Sequence, residues 1–268
     1  MGIDDLKAEM IDEGFARHVR ACNNAALPGE RLAFRLGSAQ VGWVRRDFAV
    51  KLAAFRQIGV GADGVTLTDA AALPSVARQL SDAGCYRWRN EAFDIRAAPD
   101  GPVLAHLDRG ALPSFGVLAV GVHVNGLVRH SGGLHVWVAR RAANKALDPS
   151  KLDHIVAGGV PAGLTPAETL VKEAEEEAAI PASLARQAVP VATISYAMER
   201  PEGLRRDLLH CYDLDLPADF SPRAADGEVE AFELWPIERV LQTVRDTDDF
   251  KFNVSLALID LFQRLALI

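Results

Sequence analysis

The stretch that most limits what this chain can become runs from Gly158 to Ile180, GGVPAGLTPAETLVKEAEEEAAI. It reads as a glycine-rich loop feeding a short acidic helix. Thr165 is placed to cap the helix, Pro166 suits its first position, and Glu168 reaches back to the cap, which makes a capping box. Ala167, Leu170, Val171, Ala174 and Ala178 recur on one side at about 100° per residue, so that side is expected to pack on a core. Glu173, Glu176 and Glu177 stand at i, i+3 and i+4 and share a different side. Like charges at that spacing repel, which a helix tolerates when a cation sits among them. A cluster of hard oxygen ligands suits Mg²⁺ above all, with Mn²⁺ as an alternative. Gly158, Gly159 and Gly163 would let the chain turn tightly and bring its amides near a phosphate or the helix.

Composition narrows the class. Of 268 residues, 49% are hydrophobic, enough for a folded core in one large domain or two small ones. The formal net charge of −7 argues against a nucleic-acid-coating protein and against a polybasic membrane anchor. No apolar run approaches the roughly 20 residues of a membrane span. The three cysteines, Cys22, Cys85 and Cys211, form no CxxC pair, so a cysteine-built zinc site is not expected and a reducing compartment is. The first residues, MGIDDLKAEMIDEGF, lack the apolar segment of a signal peptide, so a cytoplasmic location is expected.

Periodicity orders the rest. Ile3 to Cys22 reads as an amphipathic helix. Leu32–Leu36 and Gln40–Val44 form a hairpin, Asp47–Phe55 a helix and Val65–Leu67 a strand. Asp69 caps a helix toward Leu80, and Trp88–Ile95 alternates as a strand. A boundary falls near Pro113, dividing an α/β piece, 1–113, from a second part, 114–268. There Val117–Val124, Asn125-Gly126 and Leu127–His130 read as a hairpin, since Asn-Gly between apolar runs favours a tight turn. Leu134–Ala139 is a strand and Asp148–Asp153 a polar loop. After the acidic helix, Val189–Tyr196 and Arg206–Leu214 pair across the turn at Pro201-Glu202-Gly203. Glu228–Leu234 is a strand, Pro236–Arg245 a helix, and Asn253–Leu265 a closing amphipathic helix.

Residues Gly158 to Ile180 resemble the Nudix box, a glycine and a spaced acid followed by Arg-Glu-apolar-x-Glu-Glu-x-Gly-apolar. Glu173, Glu176 and Glu177 match its metal-binding positions. Leu164 stands where the box has its first Glu, Lys172 replaces the Arg, and Ala179 replaces the late Gly. Further stretches resemble one branch of the Nudix hydrolases: Gly121–Gly126, Arg140-Arg141 with Lys145, Tyr212–Pro217, Asp226–Glu230 and Phe250–Asn253. Arg87–Glu91 and Val41–Val44 resemble the α/β domain that this branch carries ahead of the Nudix fold. The resemblance implies a Nudix α/β/α sandwich with a mixed sheet, preceded by a small α/β domain. It also implies a metal-dependent hydrolase of a small-molecule phosphate or diphosphate linkage. The branch is associated with thiamine diphosphate and its oxidised analogues. Nudix proteins that hydrolyse NADH or ADP-ribose, isomerise prenyl diphosphates, or bind ligands without hydrolysis are the alternatives.

The resemblance gives roles to residues. Glu173, Glu176 and Glu177 are the expected metal ligands, and Lys172 is expected to orient them, with Glu168 either its i, i+4 partner or only a capping residue. Glu228 or one of the three is the expected base. Alternation puts Glu228 and Glu230 on the same face and does not choose between them. Arg140 and Lys145 are placed to meet diphosphate oxygens, or form an exposed loop. A monomer and a homodimer are equally open.

Overall fold

The computed structural model describes residues 11–145, 147–224 and 227–268. The chain begins with helix α1 (Glu13–Cys22), capped by the Asp12 side chain on the Gly14 amide. The expected start of this helix, with Leu6 and Met10, lies outside the described residues. Strands β1 (Leu32–Leu36) and β2 (Ala39–Val44) make the expected hairpin, and α2 spans Arg46–Leu52. Strands β3 (Ile58–Gly61) and β4 (Gly64–Leu67) complete a four-stranded sheet of order β2-β1-β4-β3. Asp69 does cap, but it caps a short 3-10 turn, Ala70–Ala72; α3 (Leu73–Asp82) follows with Pro74 in its first turn. A hairpin of β5 (Ala92–Ile95) and β6 (Ala105–Asp108), then α4 (Leu112–Phe115), closes this first part. Its core gathers Phe34, Leu52, Val65, Leu67, Leu73, Val76, Ile95 and Leu107. Phe115 stands edge-on to both Phe34 and Phe48, with ring centroids 5.0 and 5.2 Å away.

The strand expected over Trp88–Ile95 begins only at Ala92. The buried Asp108 carboxylate explains the difference, because it accepts the amides of Arg89, Glu91 and Gly110 at 2.9–3.1 Å. Asn90, at φ +60°, bends the chain between two of those donors. A carboxylate that binds three main-chain amides holds residues 89–91 away from any ladder.

The second part contains β7 (Leu118–His130), β8 (Gly133–Arg141), β9 (Leu152–His154), β10 (Val156–Gly159), α5 (Pro166–Ala178), α6 (Ala182–Ala185), β11 (Val189–Arg200), β12 (Gly203–Asp215), β13 (Val229–Pro236), α7 (Ile237–Asp246) and α8 (Phe252–Arg264). Strands β11-β12-β7-β8-β13 run side by side, with β10 added to β7 and β9 to β8. The sheet is mixed: β12 lies parallel to β7, while the other pairs are antiparallel. Alternation along β7 sends Val122, Val124 and Val128 to a core with Leu170, Ala174 and Ala178 of α5. Leu127 goes to the opposite core, with α7 and α8. The fold is therefore the expected α/β/α sandwich with a separate α/β unit before it.

Two readings are corrected here. Asn125-Gly126 is no turn, since β7 runs through it and the chain reverses at 131–132. Asn125 is buried and donates to Asp213 at 2.8 Å, and Gly126 leaves room for the Ile155 side chain. The closing helix is not amphipathic along most of its length: Asn253 to Phe262 are all buried, so α8 is a central core helix. Helix α1, at the start of the 1–113 piece, packs Phe15, Val19 and Cys22 into the α8 core of the second part. The backbone at Ala25 continues this attachment, donating to the Ala197 carbonyl at 3.2 Å.

Candidate active site

Helix α5 begins as its residues dictate. The Thr165 hydroxyl accepts the Glu168 amide at 3.2 Å, and the Glu168 carboxylate takes the Thr165 amide at 2.9 Å. Glu168 is thereby used as a cap, and Lys172 turns the other way, toward Glu173 at 3.0 Å and Glu176 at 2.5 Å. Those two carboxylates bind the ammonium proton tightly enough to raise its pKa, although burial opposes this. The apolar side of α5 is narrower than expected. Leu170, Ala174 and Ala178 are buried but Ala167 is exposed, and Glu177 takes a buried place.

Glu177 is only 8% exposed, and the Ala157 amide donates to it at 2.9 Å. Burial pushes its carboxyl up to about 8, with Asp153, Glu173 and Glu228 adding to the push. Burial raises Glu173 as well. Gly158 and Gly159 lie in β10, paired with β7. The space a Cβ would need at Gly158 is filled by Glu173, whose Cγ would be 2.7 Å away. At Gly159 the same space holds the Phe93 ring of the first part, at 2.5 Å. The glycine loop thus approaches the acidic helix on one side and the leading domain on the other.

Glu177 opens on a small pocket shared with Ala139, Arg141, Lys145, Asp153, His154, Ala157, Glu228 and Val229. The structure therefore brings Glu228, rather than Glu230, together with Glu177. Lys145 forms an ion pair with Glu228. That bond, with Arg109 and Arg141 nearby, holds the Glu228 carboxyl below its ordinary range against the effect of burial. Arg140 reaches the Ser150 carbonyl at 3.3 Å and does not line the pocket. Asp226, in the same expected motif, lies outside the described residues.

Sequence reasoning missed Asp153, His154 and Lys251. Asp153 is buried in β9, where the expectation was a polar loop, and it binds Arg141 at 2.7 Å and Lys251 at 3.4 Å. Those cations keep its carboxyl well below the usual range although burial pushes the other way. The position of Lys251 within Phe250–Asn253 was the available signal.

Among the described residues, the ligand-type atoms that converge within 4.8 Å belong to His123, Asp153 and His154. This cluster does not suit a dication. The His123 and His154 Nδ1 atoms lie 2.9 Å apart with a proton shared between them, and Asp153 already faces two cations. Metal ligation needs those lone pairs free. The α5 glutamates offer carboxylate oxygens instead: burial raises both Glu173 and Glu177, and the Glu173 charge adds to the rise at Glu177, a load that a positive charge would relieve.

Residues 119–254 match the model of the NUDIX domain, and residues 14–119 match that of a domain of unknown function (DUF4743). Nudix hydrolase 20, chloroplastic, of Arabidopsis thaliana is 35% identical over 271 residues, 94% of this chain and 72% of that protein. Nudix hydrolase 24, chloroplastic, of the same plant is 37% identical over 268 residues, 95% of this chain and 73% of that protein. A crystal structure from Deinococcus radiodurans superposes at a TM-score of 0.47 with 23% identity, over 64% of this chain and 98% of that one. The expected cytoplasmic location is corrected: both plant relatives are chloroplast proteins by name, and these relatives give the cytoplasm no support. With a Nudix domain over half its length and two such relatives along nearly all of it, the chain belongs to the Nudix hydrolase family.

Proposed function

We propose that this hydrolase cleaves a diphosphate linkage in a small molecule with Mg²⁺, or Mn²⁺ in its place, and that thiamine diphosphate or an oxidised analogue is its substrate. The observation that supports the hydrolytic reading is the buried Glu177 carboxyl, held by the Ala157 amide at 2.9 Å and lining one pocket with Glu228 and Lys145. Glu173, Glu176 and Glu177 would hold the metal, with Glu228 across the pocket. Bound there, it would neutralise the diphosphate oxygens and lower the pKa of the attacking water. Lys172 spans Glu173 and Glu176 and fixes their direction. The Ala157 amide does the same for Glu177. Glu228 or one of the α5 glutamates takes the proton from water. Lys145 lies in the pocket, placed to exchange Glu228 for a phosphate oxygen, and Arg140 stands further out. The leading domain, 1–113, shapes the substrate site, since its Phe93 and its Ala92 carbonyl rest on the glycine loop. The resemblance of that domain supports the thiamine head group.

The test is phosphate release from thiamine diphosphate, ADP-ribose, NADH and a prenyl diphosphate, with and without Mg²⁺. Mg²⁺-dependent release, fastest from thiamine diphosphate, is expected. Glu176→Gln and Glu177→Gln should each lose on the order of a thousandfold in rate, about 4 kcal/mol of barrier, with an unchanged circular-dichroism spectrum. Near-wild-type turnover by both variants would remove the metal site from α5.

A further inference from the structure

A file of buried polar side chains runs through the second part to the pocket. At its far end Tyr196 on β11 donates its hydroxyl proton to Asp207 on β12. Arg205 holds the same carboxylate at 3.1 and 3.2 Å. The phenolic oxygen is then left as an acceptor, and Asn253 Nδ2 of α8 approaches it at 3.5 Å. The same amide nitrogen lies 3.3 Å from His123 Nε2 and carries two protons, one for each neighbour. The opposite amide orientation would set Asn253 Oδ1 against an oxygen that has already spent its proton.

The rest follows by counting protons. His123 Nε2 accepts, so its single proton is on Nδ1. That proton goes to His154 Nδ1, 2.9 Å away. His154 Nδ1 accepts, so its own proton is on Nε2. Burial keeps both rings neutral, as this scheme requires. Yet His154 Nε2 is buried without a hydrogen-bond partner, on a residue that is 3% exposed and lines the pocket with Arg141, Lys145 and Glu177. A buried N–H with no acceptor is costly unless something else supplies one.

We propose that His154 is a substrate-binding residue, its Nε2–H donating to a non-bridging oxygen of the bound phosphate. The Tyr196–Asn253–His123 file fixes that proton in place. A neutral donor held this way suits a phosphate oxygen, which has no proton to offer, and it adds no charge to the pocket. The assignment rests on the reading of the pocket as a phosphate site.

The tautomers are read directly by long-range ¹H–¹⁵N NMR on histidine-labelled protein without substrate. His154 should carry its proton on Nε2 and His123 on Nδ1. A proton on His154 Nδ1 would overturn the proposal. Titration with inorganic phosphate and Mg²⁺ should then move the His154 Nε2–H resonance. His154→Leu should weaken phosphate binding roughly tenfold, and His154→Gln, which keeps an N–H donor, should restore most of it. Equal affinity in wild type and His154→Leu would refute the role. If the wild-type protein binds no phosphate while the tautomers are as assigned, it is the diphosphate reading that fails. Asn253→Asp gives an independent check: a carboxylate can only accept, so both imidazole tautomers should invert.

Discussion

Burial acts on two residues of the pocket with the same result, because Glu177 and His154 are each driven toward their uncharged forms. For His154 this has a consequence away from catalysis. Its folded pKa falls from 6.5 to about 4, through burial first and then Lys251, while Asp153 and Asp213 pull the other way. Burial and the neighbouring His154 lower His123 further. Between 6.5 and 4 the His154 ring binds a proton in the unfolded chain and not in the folded one, so its contribution to stability falls as the pH drops through that range. Below about 4, His154 adds no further loss. A shift of that size corresponds to about 3 kcal/mol at 1.36 kcal/mol per unit. Glu177, held near 8, binds its proton in the folded chain over the same range and acts in the opposite direction, so the His154 contribution is read by difference: the urea midpoint of the wild type relative to His154→Gln should fall from pH 7 to pH 4. Asp153, whose carboxyl is depressed by Lys251 and Arg141, titrates below this window. None of this was legible in the residues alone. A histidine beside a polar loop reads equally as core or surface, and the pairing of β9 with β8 is what buries it.

Helix α5 was the most legible element, because capping chemistry is local: Thr165, Pro166 and Glu168 needed no tertiary partner to declare its start. Its end is more informative. Ala179, where the Nudix box has glycine, adopts φ +53° and ψ +34°. A residue with a Cβ pays about 1–2 kcal/mol in that left-handed region, and glycine does not. Ala179→Gly is therefore expected to stabilise the protein by about 1 kcal/mol after its entropic cost, raising the melting midpoint by about 2–4 °C. An unchanged or lower midpoint in calorimetry would show that the turn carries no such strain. Strand β7 shows the opposite case. Asn125-Gly126 has the composition of a hairpin turn, but the buried bond from Asn125 to Asp213 and the Ile155 side chain over Gly126 keep the strand straight. Those partners lie 88 and 29 residues away, so no local pattern could reveal them. For the same reason the box glutamates can be named from the sequence, whereas the placement of Glu228 rather than Glu230 in the pocket required the fold.

At the scale of the whole molecule, the division near Pro113 follows a change of pattern, but it does not show how the parts meet. They meet at the glycine loop. The Ala162 amide of the glycine loop donates to the Ala92 carbonyl of β5 at 2.7 Å, and the Phe93 ring occupies the space beside Gly159. Phe93 is 3% exposed, so its ring is as buried as the first part's core. The loop that presents Glu173 is thus braced from outside its own domain. A double-mutant cycle measures this brace. Gly159→Ala should be costly, because its Cβ would stand 2.5 Å from the Phe93 ring. Phe93→Ala should cost about 3–5 kcal/mol, as deletion of a buried phenyl ring does. If the two residues meet as described, the Cβ enters the space the ring has left, and the double variant should be more stable than the two single losses predict by about 1 kcal/mol or more. Amide exchange at Val160 and Ala162 should quicken in Phe93→Ala, while exchange in α8 stays slow relative to global unfolding. Strict additivity, with exchange in the loop unchanged, would mean that the leading domain merely lies beside the site and does not hold it.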